Sequence, residues 1–427
     1  MKSATRPFDP NPALELARIL SYLRSACSSL NPLWLSHFTA TSSIGRGLDQ
    51  TLAALRERRA GLAPCAFDTV DLATFVGEVQ GVDAVQLPAH LADFDCRNNR
   101  LALLGLTQDG FAEAVRAAIA RYGAQRIGLF LGTSTSGILQ TELAYRRRDP
   151  VTGALPADFN YRTTHNTFSV ADFARHYLGL TGPAVVVSSA CSSSAKVFGS
   201  ARRMIAAGLV DAAVVGGVDT LCLTTLYGFN SLGLVSEHPC RPFDVQRNGI
   251  SIGEAAAFAL LERAPEHLDA DAVLLLGIGE TSDAHHMSSP HPEGLGARMA
   301  MQDALKTAGL KPSEIDYIHL HGTATLSNDA AEAKAIRYVF GSGTPCSSTK
   351  GATGHTLGAA GGVGAVICAL GLQHGLLPAG LNTRQLDPTL GLDYVLENRE
   401  QPVARTLSNS FGFGGTNCSL IFARADY

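Results

Sequence analysis

"FAEAVRAAIARYGAQRIGLFLGTSTSG" occupies residues 111–137, and "RMAMQDALKTAGLKPSEIDYIHLHGTATLS" occupies residues 298–327. Both run in the same order: an alanine-containing helical stretch, a turn with glycine, a short apolar strand, then G-T-x-T. Helices place apolar side chains at a spacing of 3.6 residues and doubly buried strands read as continuous apolar runs, so one supersecondary plan is written twice. Each copy is followed by a second matching pair. The first half continues with "AVVVSSACSSSAKVFGSARRMIAAGLVDAAVVGG" (184–217), and the second with "PCSSTKGATGHTLGAAGG" (345–362), a helix and "LQHGLLPAG" (372–380). With the further run "AVLLLGIG" (272–279), strands alternate with longer helical patterns, which argues for βαβ units around buried sheets. The expectation is a duplicated α/β core with the active site at its seam, the alternative being two unrelated βα units.

At 427 residues and 46% apolar content the chain is long enough for a large duplicated core. The 34 basic and 38 acidic residues leave a net charge of -4, without the basic field that nucleic acid requires. Nine scattered cysteines without CxxC spacing read as reduced thiols in a cytoplasmic protein. The N-terminal stretch "LELARILSYL" is interrupted by Arg18 and does not read as a signal peptide. The longest apolar run, "LGAAGGVGAVICALGL" (357–372), is shorter than the roughly 20 residues of a bilayer span and reads as a buried helix. Residues 1–33, with an amphipathic stretch from Leu14 to Leu23, read as an appended extension.

Cys191 falls at a strand-to-helix turn, where free N–H groups and the positive helix end favour a thiolate. Small neighbours on both sides let a substrate approach; the bland alternative is a small core residue, the reading given to Cys222, Cys368 and Cys418. His321, after the strand "IDYIHL", and His355, in "STKGATGHTLGAAGG" five residues past Lys350, sit at corresponding ends of the duplicated plan. Either histidine alone would read as structural. "NSFGFGGTN" (409–417) sets Phe413 among Gly412, Gly414 and Gly415, so backbone N–H groups can approach a carbonyl while an aromatic ring acts as a gate; a hairpin is the plain alternative. His285, His286 and His291 lack partners at metal-ligand spacing, and Arg146 to Arg148 and the "RERR" cluster at 56–59 read as solvated faces. No phosphate-binding or dinucleotide fingerprint occurs, so neither ATP nor NAD is implied.

In order and local context, Cys191, His321, Lys350, His355 and the closing "NSFGFGGTN" resemble the β-ketoacyl-acyl-carrier-protein synthases, the elongating condensing enzymes of fatty-acid and polyketide assembly. "RPFDVQRNGISIGEAAAFALLE" (241–262) and "SDAHHMSSPHPEG" (282–294) extend the likeness from about residue 34 to the end. The resemblance implies a thiolase-like, five-layered α-β-α-β-α duplicated fold. Its halves would be 34–264 with the cysteine and 265–427 with the two histidines. It implies a decarboxylative Claisen condensation between an acyl-enzyme thioester on Cys191 and a malonyl-acyl-carrier protein. The N–H groups of Cys191 and Phe413 would form an oxyanion hole, with His321 and His355 holding the malonyl thioester oxygen. Lys350 and Glu332 would support the histidines, and Thr135 and Phe411 would lie along an acyl tunnel. No metal and no diffusible cofactor is implied, the substrates being carried on the phosphopantetheine of acyl carrier protein. A homodimer or a heterodimer with a related subunit is expected, with no nucleic acid and no membrane span.

There are departures. "LWLSHFTATSSIG" replaces the family's usual V-T-G-x-G first strand, and Asn248 stands where aspartate is usual. Thiolases need a second cysteine as base in a C-x-G setting that Cys418 does not have. A catalytically silent, chain-length-factor-like partner subunit typically lacks the nucleophile, so Cys191 with both histidines argues for the active member of any pair. Arg97 with Arg100, or Arg202 with Arg203, would form the basic patch that an acidic carrier protein needs.

Overall fold

Ten strands carry the core of this computed structural model, which describes residues 32–426. In the first half they are β1 (Leu33–Ser42), β2 (Ile127–Gly132), β3 (Ala184–Val187), β4 (Ala212–Asp219) and β5 (Ala255–Arg263). In the second they are β6 (Val273–Ser282), β7 (Tyr317–His319), β8 (Cys346–Ser347), β9 (Arg405–Gly412) and β10 (Thr416–Arg424). The first five lie in the order β1-β5-β4-β2-β3 and the second in the order β6-β10-β9-β7-β8. In each set the first two pairings are antiparallel and the last two parallel. Equivalent strands therefore occupy equivalent places, so the duplication heard in the sequence is a duplication of topology.

The two sheets join where β1 pairs with β6 over Leu33 to Leu35. The first strand, whose sequence departs from the usual pattern, is thus an interior strand with partners on both sides. The extension expected at 1–33, with its amphipathic stretch, lies outside the described residues except for its last two.

Seven helices complete the layers: α1 (Arg97–Leu106), α2 (Phe111–Tyr122), α3 (Ser169–Leu178), α4 (Ser193–Ala206), α5 (Leu295–Ala308), α6 (Leu326–Phe340) and α7 (Ala360–His374). Helices α4 and α7 pack on each other and on strands of both sheets, forming the middle layer. Helices α1 to α3 cover the outer face of the first sheet, and α5 and α6 that of the second. The result is five layers, α-β-α-β-α. Helix α7 is apolar all round because every face meets protein. Leu357–His374 is the one stretch among the described residues long and apolar enough to cross a membrane, and 83% of it is buried inside the fold.

Small residues set the layer spacing. A Cβ at Gly361 would stand 2.5 Å from the Ala195 nitrogen of α4, and one at Gly132, the last residue of β2, would stand 2.3 Å from the Ser194 nitrogen. Only glycine lets β2 come this close to the start of α4, two residues past Cys191. The variant Gly132→Ala is therefore expected to lose about 1–3 kcal/mol of stability by overpacking, read as a lower urea midpoint; an unchanged midpoint would show that the layers have slack.

Candidate active site

Leaving β3, the chain reaches Cys191 through Ala190, whose φ of 51° lies in the left-handed region. For a residue with a Cβ that conformation costs about 1–2 kcal/mol, offset by the surrounding hydroxyls. Ser193 Oγ donates to the Ala190 carbonyl at 2.6 Å and accepts from the Ser189 N–H at 2.9 Å. Ser192 Oγ donates to the Ser189 carbonyl at 2.9 Å and lies 2.8 Å from Thr416 Oγ1 on β10. The serines around Cys191 thus shape the turn as well as leave room for a substrate, and they hold the thiol at the start of α4.

His321 follows β7. Its N–H and that of Gly322 each donate to one oxygen of Glu332 on α6 at 2.8 Å, and Asn409 Nδ2 adds a bond to the same carboxylate at 3.2 Å. Lys350 Nζ donates to the His321 carbonyl. His355 follows a short helix, Lys350–Thr353, and the turn at Gly354. Its N–H donates to the Ser251 carbonyl at 2.7 Å, and the Leu357 N–H donates to its Nδ1 at 3.2 Å.

These elements converge on one cleft. The Cys191 sulfur and the ligand nitrogens of His321 and His355 lie within 4.8 Å of one another, and the two rings stand edge to face with centroids 5.3 Å apart. Phe411 packs 5.8 Å from the His321 ring. The N–H groups of Phe413 and Cys191 face the sulfur, and the Phe413 ring rests 5.5 Å from Phe229 across the cleft. Gly414 donates to the Met287 carbonyl at 2.8 Å and Gly415 accepts from the Asp283 N–H at 2.8 Å, so the segment 283–290 supports the glycine loop. His285, His286 and His291 lie in or next to this segment but are not among the residues lining the cleft.

Burial decides the charge states. It pushes the Cys191 thiol up to about 11, against the Lys350 charge and the Phe413 N–H, which pull it down. The sequence reading, in which free N–H groups and a helix end keep a thiolate, is corrected: desolvation outweighs the Lys350 charge and the backbone N–H groups, and the resting group is a thiol. Burial and the Lys350 charge hold His321 and His355 well below the usual imidazole range, so both rings are neutral at pH 7. Burial likewise raises Glu332 to about 7, opposed by the two N–H groups it accepts, and lowers Lys350.

Since the Leu357 N–H occupies Nδ1 of His355, the neutral ring carries its proton on Nε2. That nitrogen is a donor to the cleft. Although a sulfur and two imidazoles stand near enough for a metal, a protonated Nε2 has no lone pair to give, and Lys350 adds a repelling charge. The donor set fits an oxyanion better than a cation.

Thr135 lies elsewhere. Its hydroxyl donates to Asp219 at 2.9 Å, as does that of Thr133 at 2.6 Å, and Thr135 is not among the residues lining the cleft, whereas Phe411 is. Asp219, which the sequence reading passed over, also accepts the Ser134 N–H at 2.8 Å and the Gly358 N–H, tying the G-T-S-T loop of one half to the His355 loop of the other. Its signal was an acid ending an otherwise apolar buried strand. The arginine pairs do not make a docking patch. Arg97 is buried against Glu254 at 2.6 Å, Arg202 is buried with a bond to the Leu276 carbonyl, and Arg100 and Arg203 are engaged by Asp95 and Glu280. Cys222, Cys368 and Cys418 are core residues. Asn248 accepts from Ser236 Oγ at 2.6 Å, and the described cysteines are free thiols.

Residues 40–267 match the β-ketoacyl synthase N-terminal domain and residues 272–384 the C-terminal domain. The chain is 32% identical over 408 residues to 3-oxoacyl-[acyl-carrier-protein] synthase 2 of Vibrio cholerae, covering 90% of this chain and 96% of that one. It is 41% identical over 263 residues to the mitochondrial 3-oxoacyl-[acyl-carrier-protein] synthase of Arabidopsis thaliana, 57% of either chain. In structure it is similar to a chain of the ketosynthase in complex with its chain length factor from Xenorhabdus doucetiae, with a TM-score of 0.83, 38% identity, and 92% of this chain and 98% of that chain covered.

A thiol held up by burial reacts faster as pH rises. Alkylation of Cys191 by iodoacetamide is expected to climb about tenfold per pH unit between pH 7 and 9, and Lys350→Met, which removes an opposing positive charge, to slow it further. A plateau reached by pH 8 would contradict the buried-thiol state.

Proposed function

The chain belongs to the β-ketoacyl synthase family, and from that premise we propose that it condenses an acyl group held on Cys191 with a malonyl-acyl-carrier protein, giving β-ketoacyl-acyl-carrier protein. The observation that carries this reading is the meeting of one thiol, two N–H groups and two neutral imidazoles at a single cleft.

In the first half-reaction the Cys191 sulfur attacks the acyl thioester carbonyl while its proton passes to a neutral imidazole. The carbonyl oxygen takes negative charge opposite the N–H groups of Cys191 and Phe413. The carrier's thiol departs with the proton, leaving an acyl thioester on Cys191. In the second, the malonyl thioester oxygen accepts hydrogen bonds from His355 Nε2 and from His321. The bond to the carboxylate breaks, carbon dioxide leaves, and the electron pair it releases forms an enolate whose charge rests on that oxygen. The enolate carbon attacks the acyl carbonyl, the carbon–sulfur bond breaks, and the Cys191 sulfur takes up one proton from solvent. Neutral imidazoles suit this step because they can donate to a growing oxyanion without a proton leaving them. Glu332 and Lys350 hold the His321 turn by its N–H and carbonyl groups. The scheme draws on no metal or diffusible cofactor.

Acyl carrier protein is the partner this chemistry requires, its phosphopantetheine arm entering the cleft past Thr323 and Thr325. A related subunit, either a second copy or a chain-length-factor-like chain, fits the edge of the first sheet, where β3 has one neighbour and Val185 is 39% exposed. The free thiols and core-buried α7 support a cytoplasmic location. Incubation with acyl-acyl-carrier-protein thioesters is expected to add one acyl mass to the intact protein, absent in Cys191→Ala. An adduct that persists in that variant would place the nucleophile elsewhere.

A further inference from the structure

His319 is a third buried histidine in this region, and neither half-reaction uses it. It does not line the cleft. It is the last residue of β7, two before His321, and its ring faces α7 of the middle layer. Its Nε2 is 2.9 Å from Thr349 Oγ1, and its Nδ1 has no hydrogen-bond partner among the described residues. Against the ring stands Gly364 of α7, where a Cβ would come within 3.1 Å of Nδ1. The ring is therefore clamped between α7 and Thr349, and its one hydrogen bond among the described residues is with that threonine.

Thr349 is the residue before the short helix Lys350–Thr353, and its carbonyl accepts the N–H groups of Ala352 at 2.8 Å and Thr353 at 3.0 Å. Moving Thr349 moves that helix, and with it Lys350 at one end and His355 beyond the other. The strand ladder does not control this segment, because the pairing of β7 with β8 ends where His319 faces Ser347. Beyond it the crossing bonds are the Leu320 N–H to the Ser347 carbonyl at 2.8 Å, Ser348 Oγ to the Gly322 carbonyl at 2.8 Å, His319 to Thr349, and Lys350 Nζ to the His321 carbonyl. His319, Thr349, Lys350 and His321 thus close a circuit, two links being chain and two being hydrogen bonds.

We propose that His319 is a positioning residue that, through Thr349, sets the placement of His355 relative to His321. This rests on the condensation reading above, in which those two rings must bond to one thioester oxygen. An oxygen shared by two donors tolerates little misplacement, so loosening the circuit harms the decarboxylation step. Acylation of Cys191 rests on the serine-braced turn and the Phe413 loop and, although Lys350 acts on the thiol and an imidazole takes its proton, it does not require both rings to meet on one oxygen, so it is far less sensitive to their relative placement.

The test measures two half-reactions separately in the full chain: acylation of Cys191 by hexanoyl-acyl-carrier protein, and carbon dioxide release from malonyl-acyl-carrier protein by the acylated protein. In His319→Leu and in Thr349→Val, acylation is expected to stay within about twofold while carbon dioxide release falls about 10- to 100-fold. The double variant is expected to lose no more than either single one, because both break the same contact. His319→Gln, whose amide nitrogen reaches the place of Nε2, is expected to restore release to within about threefold of the parent. If His319→Leu does not fold, Thr349→Val carries the test, since it removes only a hydroxyl. The inference is overturned if both half-reactions fall in proportion, as for general structural damage, or if release is unchanged in Thr349→Val. A parent protein that takes up the acyl group and releases no carbon dioxide would overturn the condensation reading itself.

Discussion

Desolvation of the reacting groups is the constraint from which the chemistry of this protein follows. Cys191, His321, His355, Lys350 and Glu332 are all buried, and in such surroundings a charge survives only where a partner supports it. The thiol is therefore protonated at rest and both imidazoles are neutral. Uncharged groups of this kind stabilise little in the ground state. They become strong donors once charge develops on a bound thioester oxygen, because the same low dielectric strengthens each hydrogen bond.

Keeping such groups in place requires anchors, and carboxylates supply them, buried at Glu332, Asp219 and Glu254 and half-buried at Asp283. Glu332 accepts the two N–H groups at the His321 turn, Asp219 joins the G-T-S-T loop to the His355 loop, and Asp283 supports the glycine loop by accepting from Asn417 and from the His291 N–H. Glu254 does the same for the N–H groups of Val79 and Leu221 while paired with buried Arg97. Each acid gathers backbone donors that a sharp turn leaves without partners. The loops that bear the reacting residues are thus held from behind by charge, while apolar layers position the strands.

Much of this was legible in the sequence, and the parts that were not have physical reasons. The repeated helix–turn–strand–GTxT pattern carried the duplication because topology follows periodicity. Strand β5 did not stand out, since "AAAFALLER" has the composition of a helix; its alanines are small because layers press on both faces of the strand. Cys191, His321, His355 and Phe413 could be singled out because glycine and small residues surround each. The charge state of Cys191 could not be, since burial is a property of the whole fold and local spacing points to a thiolate. Thr135, which reads as a tunnel residue, places its hydroxyl on Asp219 and stands outside the lining of the Cys191 cleft, a placement that only the long-range contact with Asp219 reveals. Arg97 and Arg202 read as surface charge because nothing near them in the chain marks the acid or carbonyl that meets them from far away in sequence.

The most direct test of a neutral, donor-bearing site is imidazole nitrogen NMR of the folded protein at pH 7, with His355 assigned through His355→Asn. The structure predicts a neutral His355 ring with its proton on Nε2 and its Nδ1 accepting from the backbone. An imidazolium, or a ring protonated on Nδ1, would contradict it: the first because burial would then not govern charge in the cleft, the second because the ring would have no hydrogen to offer the substrate oxygen.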